Sequence, residues 1–386
     1  MAMRRPSPFT CWEVDSVSQP RLDIGVSAYT FSYLCGFAGA GTPRAWPPAT
    51  SPPATRGLRP RSGPYDAYDL MDLAVAHDLG GIEFPPAWGV GSLDRAELAK
   101  ARDYAAARGL FIVVDSGVVD VATLQALLPA AATLGARTVR VIVSTILCGD
   151  RRAVRNTWPS YLADIARRLR EVRALAEETG VAIALENHQD LTSDELVALC
   201  EELGSPQIGV NLDAANPLAV GEEPLAFARR VMPYLKNVHL KDYRVYRTPQ
   251  GYRLARCPIG AGVLDVPVLL DLCAREAPGA SVCIELGALE ARHVRLLDDE
   301  FWQGYPARRV EEVLPVLRLR EELARPADED WRTPWERGEH GEALTSFEMR
   351  QFEQSVEYLS RACSPDHRCG AVSSAAPTLN IGGEKR

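Results

Sequence analysis

The chain has 386 residues, 46% of them apolar, and a formal net charge of −8. An acidic balance offers no electrostatic footprint for nucleic acid, and no apolar stretch approaches the roughly 20 residues that span a bilayer. The N-terminus, MAMRRPSPFTCWEV, carries charge without an apolar segment behind it and makes a poor signal peptide, so a soluble cytoplasmic protein with no membrane partner is expected.

Strand-like and helix-like segments alternate along the chain. A strand over 22–31 is followed by a Gly/Pro-rich stretch that includes an insert at 42–64. A helix over 67–80 leads to the strand GGIEF, which ends at Phe84. A helix over 95–108, the strand LFIVVDSG, a helix over 121–134 and the strand TVRVIVS come next. A long helix over 161–178 stops at Gly180, a residue suited to a left-handed C-terminal cap. The strand VAIAL precedes a helix that opens on Thr192 and Glu195 in capping-box spacing. The strands QIGVNL, NVHL and SVCIE follow, and a helix over about 308–323 closes the series. Eight strand–helix units predict an α/β fold, a (β/α)8 TIM barrel.

The predicted organisation is an N-terminal arm (1–21), the barrel (22–324) and a C-terminal extension (325–386). The interval between His239 and Glu285 is longer than a plain barrel unit and contains YRVYRTPQGYRLARC, read as a β-hairpin insert over 243–257 at the barrel mouth. In the extension, Thr345 and Glu348 have capping-box spacing, and Met349, Phe352, Val356, Leu359 and Cys363 recur every three or four residues. An amphipathic helix over 346–363 is expected to dock on the barrel or on another subunit, with a disordered tail beyond it. The tail's CSPDHRC offers Cys363, His367 and Cys369 as soft-metal ligands without a fourth, and a disordered tail is the preferred reading. Cys148, Cys200, Cys273 and Cys283 stand in apolar contexts and read as reduced core residues.

The chemistry concentrates at strand ends. Glu186, Asp213, His239 and Glu285 each end an apolar run, on what would be the fifth to eighth barrel strands. Barrel active sites sit at the C-terminal ends of strands, where a buried carboxylate or imidazole is costly unless something satisfies it. Four in succession suggest one shared divalent cation. Three carboxylates and one imidazole form an oxygen-rich site that suits Mn²⁺ or Mg²⁺ better than Zn²⁺.

The segments ALENH, VNLD, VHLKD and CIELG resemble the xylose isomerase-like superfamily of sugar isomerases and epimerases over roughly residues 22–323. The resemblance implies that Glu186, Asp213, His239 and Glu285 bind a divalent metal, often manganese, and that Glu186 and Glu285 also act as acid/base groups. It further implies a keto sugar as small-molecule partner, proton abstraction next to its metal-held carbonyl through an enediolate, and assembly as a homodimer or homotetramer. Epimerases of this family often carry a histidine three residues after the metal aspartate; here that place is Asn216, which is expected to touch substrate. ENHQDLTSDEL, NPLAV, HLKDYRV and the C-terminal extension are similar to the 3-oxoisoapionate decarboxylase branch. Decarboxylation of a keto sugar acid, or β-elimination from a 3-keto glycoside, is therefore the main alternative to isomerisation or epimerisation.

Supporting residues carry two readings each. His188 touches substrate oxygens or shuttles a proton, or is a satisfied loop histidine. Lys241 stabilises an oxyanion or binds a carboxylate, or makes a structural ion pair. Glu83 holds a sugar hydroxyl or is structural, and Asn187 and Asp242 orient the ligands. Arg292, Arg295 and Trp302, after the eighth strand, line the pocket or lie on the surface. GFAGAG runs into TPRAWPP and no helix, which removes a dinucleotide site. A repair nuclease of the same superfamily would need a histidine-rich zinc cluster, and this chain has six histidines in all. A barrel that has lost catalysis to serve as a subunit is a remote alternative that intact Glu186 and Glu285 argue against.

Overall fold

The structure, a computed structural model, describes residues 23–37, 58, 65–287 and 289–362. The N-terminal arm, almost all of the 42–64 insert, and the tail with Cys363, His367 and Cys369 lie outside the described residues.

Strands β1 (Ile24–Ser27), β2 (Gly81–Phe84), β3 (Phe111–Val118), β4 (Thr138–Ile142), β5 (Ala182–Glu186), β6 (Ile208–Asp213) and β7 (Leu235–Leu240) are parallel neighbours in a ring. After a hairpin, β8 (Asp242–Thr248) and β9 (Gly251–Cys257), strand β10 (Ser281–Ile284) pairs with β7 and β1 and closes an eight-stranded barrel. Helices α1 (Ala67–Ala76), α2 (Arg95–Ala106), α3 (Val121–Leu134), α4 (Trp158–Thr179), α5 (Ser193–Leu203), α6 (Pro224–Val231), α7 (Val266–Glu276) and α8 (Val310–Leu323) form the outer layer. This is the TIM barrel predicted, with a further helix, α9 (Glu342–Ala362), after it.

Local chemistry explains most boundaries. Thr192 and Glu195 make the reciprocal capping box at the start of α5, and Gly180 ends α4 with φ of 68°. Strand β1 is shorter than its apolar run: Ser27 accepts the Tyr29 N–H, Ala28–Phe31 turn into a 3-10 helix, and Thr30 Oγ1 donates to Ile284 O at 2.9 Å. At the opposite end of the barrel the Phe111 ring fills the interior, and a Cβ on Gly81 would lie 2.4 Å from it.

Two features depart from the sequence reading. Arg292–Val294 form a strand, β11, which pairs antiparallel with β9 and makes a three-stranded sheet with the hairpin. Three residues are too few for periodicity to reveal; the free edge of β9 recruits them. Helix α9 begins at Glu342, ahead of the expected Thr345–Glu348 box, and Thr345 Oγ1 bonds Glu342 O at 3.2 Å. Glu348 is buried, and its carboxylate accepts the N–H groups of Tyr33 and Leu34 at 3.1 and 3.2 Å. The apolar stripe of α9 packs on the chain's own barrel, with Phe352 edge-on to Phe31 at 5.0 Å.

Candidate metal centre

Glu186 ends β5, Asp213 ends β6 and His239 lies one residue before the end of β7. Parallel register sets Asp213 opposite His239. One ligand atom from each of the three lies within 4.8 Å of the others, and all three residues are fully buried. Three atoms, Glu186 Oε1, Asp213 Oδ1 and His239 Nδ1, are buried without a hydrogen-bond partner. Buried polar atoms without a partner are costly in a core. Two carboxylate oxygens and an imidazole nitrogen suit a divalent cation of the Mn²⁺ or Mg²⁺ kind, so the residues present fit the group.

The remaining valences of these side chains are held by protein. His239 Nε2 meets Glu83 Oε2 at 2.6 Å, which fixes the ring and leaves Nδ1 facing the cluster. Burial alone would lower this imidazole, but the Glu83 carboxylate overrides it and lifts the group to about 9. Glu186 Oε2 is ion-paired to Arg140, whose Nη1 also holds Asp115 Oδ2 at 2.8 Å. Burial pushes the Glu186 carboxyl up, yet the Arg140 guanidinium, with His239, holds it down at about 2. Asp115 is in turn hydrogen-bonded by Tyr29.

Asp213 is pushed up to about 7 by burial, against the Lys241 ammonium 2.7 Å from its Oδ2 and with the Glu285 and Glu186 charges adding to the rise. Asn216 Nδ2 donates to the same oxygen at 2.6 Å. The Asn216 carbonyl oxygen accepts from Tyr243 Oη and Gln189 Nε2 at 3.1 and 3.3 Å. Asn216 therefore orients Asp213; expected on substrate, it has its hydrogen-bonding groups engaged by protein. Asn187 locks β5 to β6, taking the Asp213 N–H at 2.8 Å and donating to its carbonyl at 2.9 Å.

Glu285 follows β10 and stands beside the cluster. Its Oε1 accepts the Gly287 N–H at 2.9 Å and its Oε2 is ion-paired with Lys241. Burial would raise this carboxyl; Lys241 overrides it and holds it below the usual range. A Cβ on Gly287 would meet Glu285 Oε1 at 1.9 Å, so a larger residue there would have to displace the Glu285 carboxylate. Of the four strand-end residues, the structure gathers three around one point and ties the fourth to a lysine that also touches Asp213. Lys241 itself is held well above its ordinary range by Asp213 and Glu285, in spite of burial.

His188 is half-buried, pushed down to about 4 by burial, with its Nδ1 unpartnered. Asp242 does not orient a ligand. It receives the backbone N–H groups of Tyr243, Gly260, Gly262, Val263 and Leu264 at 2.9–3.1 Å and ties down the chain after the hairpin. Arg292 is buried and paired with Glu290, while Arg295 is exposed and lines a separate cavity.

Sequence reasoning passed over Arg140, Asp115, Gln189 and Tyr243. Asp115 obeys the same rule that picked the others, a carboxylate ending an apolar run. Arg140 had a weaker signal, a charge in the middle of TVRVIVS that needs a buried partner.

The chain matches the family described as xylose isomerase-like TIM barrel over residues 71–298, more than half its length, and belongs to that family. It is 28% identical over 206 residues to the uncharacterized protein YihM of Escherichia coli K12, covering 52% of this chain and 60% of that protein. It is 26% identical over 95 residues to the 3-oxo-isoapionate decarboxylase of Pectobacterium atrosepticum, covering 24% of this chain and 34% of that enzyme. Both matches thus span less than two thirds of the relative. The fold superposes on a xylose isomerase-like TIM barrel protein of Mycobacterium smegmatis in complex with magnesium, with TM-score 0.51 and 19% identity, over 77% of this chain and 96% of that one.

No helix among the described residues is long and apolar enough to cross a membrane.

Proposed function

We propose that this chain is a divalent-metal-dependent enzyme that isomerises or epimerises a keto sugar or sugar derivative by moving a proton next to its carbonyl. The observation that carries the reading is the convergence of Glu186, Asp213 and His239 at the C-terminal mouth of the barrel, each with a buried polar atom that has no hydrogen-bond partner. A bound cation, Mn²⁺ by preference or Mg²⁺, would supply Lewis acidity to the carbonyl and the neighbouring hydroxyl of the sugar. Glu186, Asp213 and His239 would hold it, with Glu285 adjacent.

Arg140 keeps Glu186 ionised, so its free oxygen stays an acceptor. Lys241 keeps Glu285 ionised, and Glu186 and Glu285 together would serve as the acid/base groups that take and return the proton. His188, neutral and half-buried, is placed to pass a proton to or from a sugar oxygen. Glu83 sits behind His239 and acts by fixing its ring.

Two observations favour a second reading, carbon–carbon or carbon–oxygen cleavage on a keto sugar acid or glycoside. Lys241 puts a buried ammonium beside the metal ligands, where a substrate carboxylate can pair with it, and Asn216 stands where an epimerase would carry histidine. The relation to 3-oxo-isoapionate decarboxylase supports the same alternative.

The test is elemental analysis of the purified protein, with the Glu186→Ala, Asp213→Ala double variant beside it. The expected result is about one manganese or magnesium per chain, absent from the variant. A protein that takes up no Mn²⁺ overturns the reading. Keto sugars and their acids incubated in D₂O then separate the two chemistries: deuterium beside the carbonyl without loss of carbon marks isomerisation or epimerisation, and CO₂ or an eliminated alcohol marks cleavage.

A further inference from the structure

The buried face of the hairpin inserted after β7 leads to the metal centre. Cross-strand register sets Tyr243, Val245, Tyr252 and Leu254 on one face of β8 and β9, and all four are buried. Two of them reach the same turn, Asn216–Val220, which follows β6 and its terminal Asp213. Tyr243 Oη donates to Asn216 Oδ1 at 3.1 Å, and Tyr252 Oη donates to Leu218 O.

A third side chain joins the contact. Gln189, after β5, is buried and has φ of 78°, a left-handed backbone that is costly for a residue with a Cβ. Cys148, in the loop after β4, is left-handed as well, with φ of 58°. The two segments lean on each other: the Cys148 N–H donates to Gln189 Oε1 at 2.9 Å, and the Gly149 N–H donates to Gln189 O at 3.0 Å. Gln189 Nε2 donates to both Asn216 Oδ1 and Tyr243 Oη at 3.3 Å.

Each polar hydrogen on the side chains of Gln189, Tyr243 and Asn216 thus has an acceptor. Asn216 Oδ1 takes one hydrogen from Gln189 and one from Tyr243. That leaves Asn216 Nδ2 to donate to Asp213 Oδ2 at 2.6 Å and to Asn187 O at 3.2 Å. A buried network satisfied in this way holds one arrangement: turning the Asn216 amide over would set its oxygen against the Asp213 carboxylate and its NH2 against the donors of Gln189 and Tyr243.

We propose that Gln189 and Tyr243 are positioning residues for the metal aspartate. Through Asn216 they hold Asp213 Oδ2 and so direct the free Oδ1 at the cation. The inference rests on the metal-centre reading of Glu186, Asp213 and His239, and it gives the hairpin insert a part in that centre. Two observations set the arrangement apart from ordinary packing. Backbone strain persists only where the surroundings over-determine it, and the strain at Gln189 secures a side chain aimed at Asn216. The Tyr243 hydroxyl lies beside an apolar cluster that includes Leu218, Val245 and Leu254, where a phenylalanine would fill the same space with no polar atom to satisfy.

The test is Mn²⁺ titration of the full chain, with free Mn²⁺ read by electron paramagnetic resonance and the melting temperature measured in parallel. Tyr243→Phe keeps the ring in its cluster and removes only the hydroxyl. It should weaken Mn²⁺ binding about 3–10-fold, the equilibrium equivalent of one buried hydrogen bond. In an Asn216→Ala background the same substitution should cause no further loss, because the route to Asp213 is already cut. Gln189→Ala and Gln189→Gly both remove the side chain, but only glycine relieves the left-handed backbone. The two should weaken Mn²⁺ binding alike, while the glycine variant melts at the higher temperature.

Titrations of Tyr243→Phe and both Gln189 variants that superpose on wild type overturn the inference and leave the metal centre standing. So does an equal loss from Tyr243→Phe with and without Asn216, which would put the effect of the hydroxyl outside Asp213. Mn²⁺ affinity restored by glycine but not by alanine would make Gln189 a backbone support and overturn it equally. A wild-type chain that takes up no Mn²⁺ sinks the metal reading, and the positioning role with it.

Discussion

Arg140 is the residue on which the charge balance of the barrel interior turns. It is buried with Asp115 and Glu186 as its partners, and removing one member of such a group leaves uncompensated buried charge. Arg140→Gln should lower stability by about 3–5 kcal/mol, read as a shift of the urea midpoint; an unchanged midpoint would mean that solvent serves both carboxylates. Asn216 makes a milder prediction. It holds one oxygen of Asp213 while the other stays free, so Asn216→Ala should weaken Mn²⁺ binding by about 10–100-fold, the usual effect of losing a ligand's hydrogen-bond partner. A Mn²⁺ titration that superposes on wild type would remove Asn216 from the site. Both roles were hard to read in the chain. Strand alternation says that Arg140 faces one side of the sheet and leaves open which charges face it from β3 and β5.

Helix α9 does more than continue the chain past the barrel. Its buried polar residues Glu348, Gln351 and Ser355 each hold a different part of the mouth. Glu348 takes the turn after β1, Gln351 takes Arg256 Nε at 2.7 Å, and Ser355 takes the Ile259 N–H at 3.0 Å. Burial pushes the Glu348 carboxyl from its ordinary 4.5 up to about 7, although Arg256 and the turn's N–H groups pull the other way. The folded state therefore binds more protons than the unfolded chain between these two values, and stability falls as pH rises through that window. Glu348→Gln removes this slope: wild-type stability minus variant stability should decline between about pH 5 and pH 8, by denaturant unfolding at each pH. A flat difference would show that the carboxylate is solvated. Phe352→Ala should cost about 3–5 kcal/mol, because the ring is buried between Phe31 and His77. The amphipathic spacing made this helix legible, but Glu348 was assigned to capping because spacing alone cannot distinguish a cap from a buried anchor.

For the whole molecule, the consequence is that the extension is part of the barrel's own packing. A chain ending at Gly341 should melt at a lower temperature than the full protein and recover little on adding Mn²⁺, because the lost contacts lie at the β1 turn and the hairpin. A melting temperature equal to the full chain's would detach α9 from the fold. Assembly into a dimer or tetramer stays a proposal, and sedimentation of the full chain measures it; the apolar stripe of α9 is already covered and is not the surface to look to.

Periodicity and strand-end chemistry, both local properties, sufficed for the eight strand–helix units, the hairpin insert and Glu186, Asp213, His239 and Glu285 as a set at the barrel mouth. Short-range order writes these into the chain, because a buried parallel strand must be apolar until it reaches the mouth. The partners of those residues were settled in three dimensions. Glu83 behind His239, Arg140 between Asp115 and Glu186, Lys241 between Asp213 and Glu285, and the short β11 on the free edge of β9 join segments far apart in sequence. Register, curvature and loop crossing bring them together, and no one segment encodes those alone.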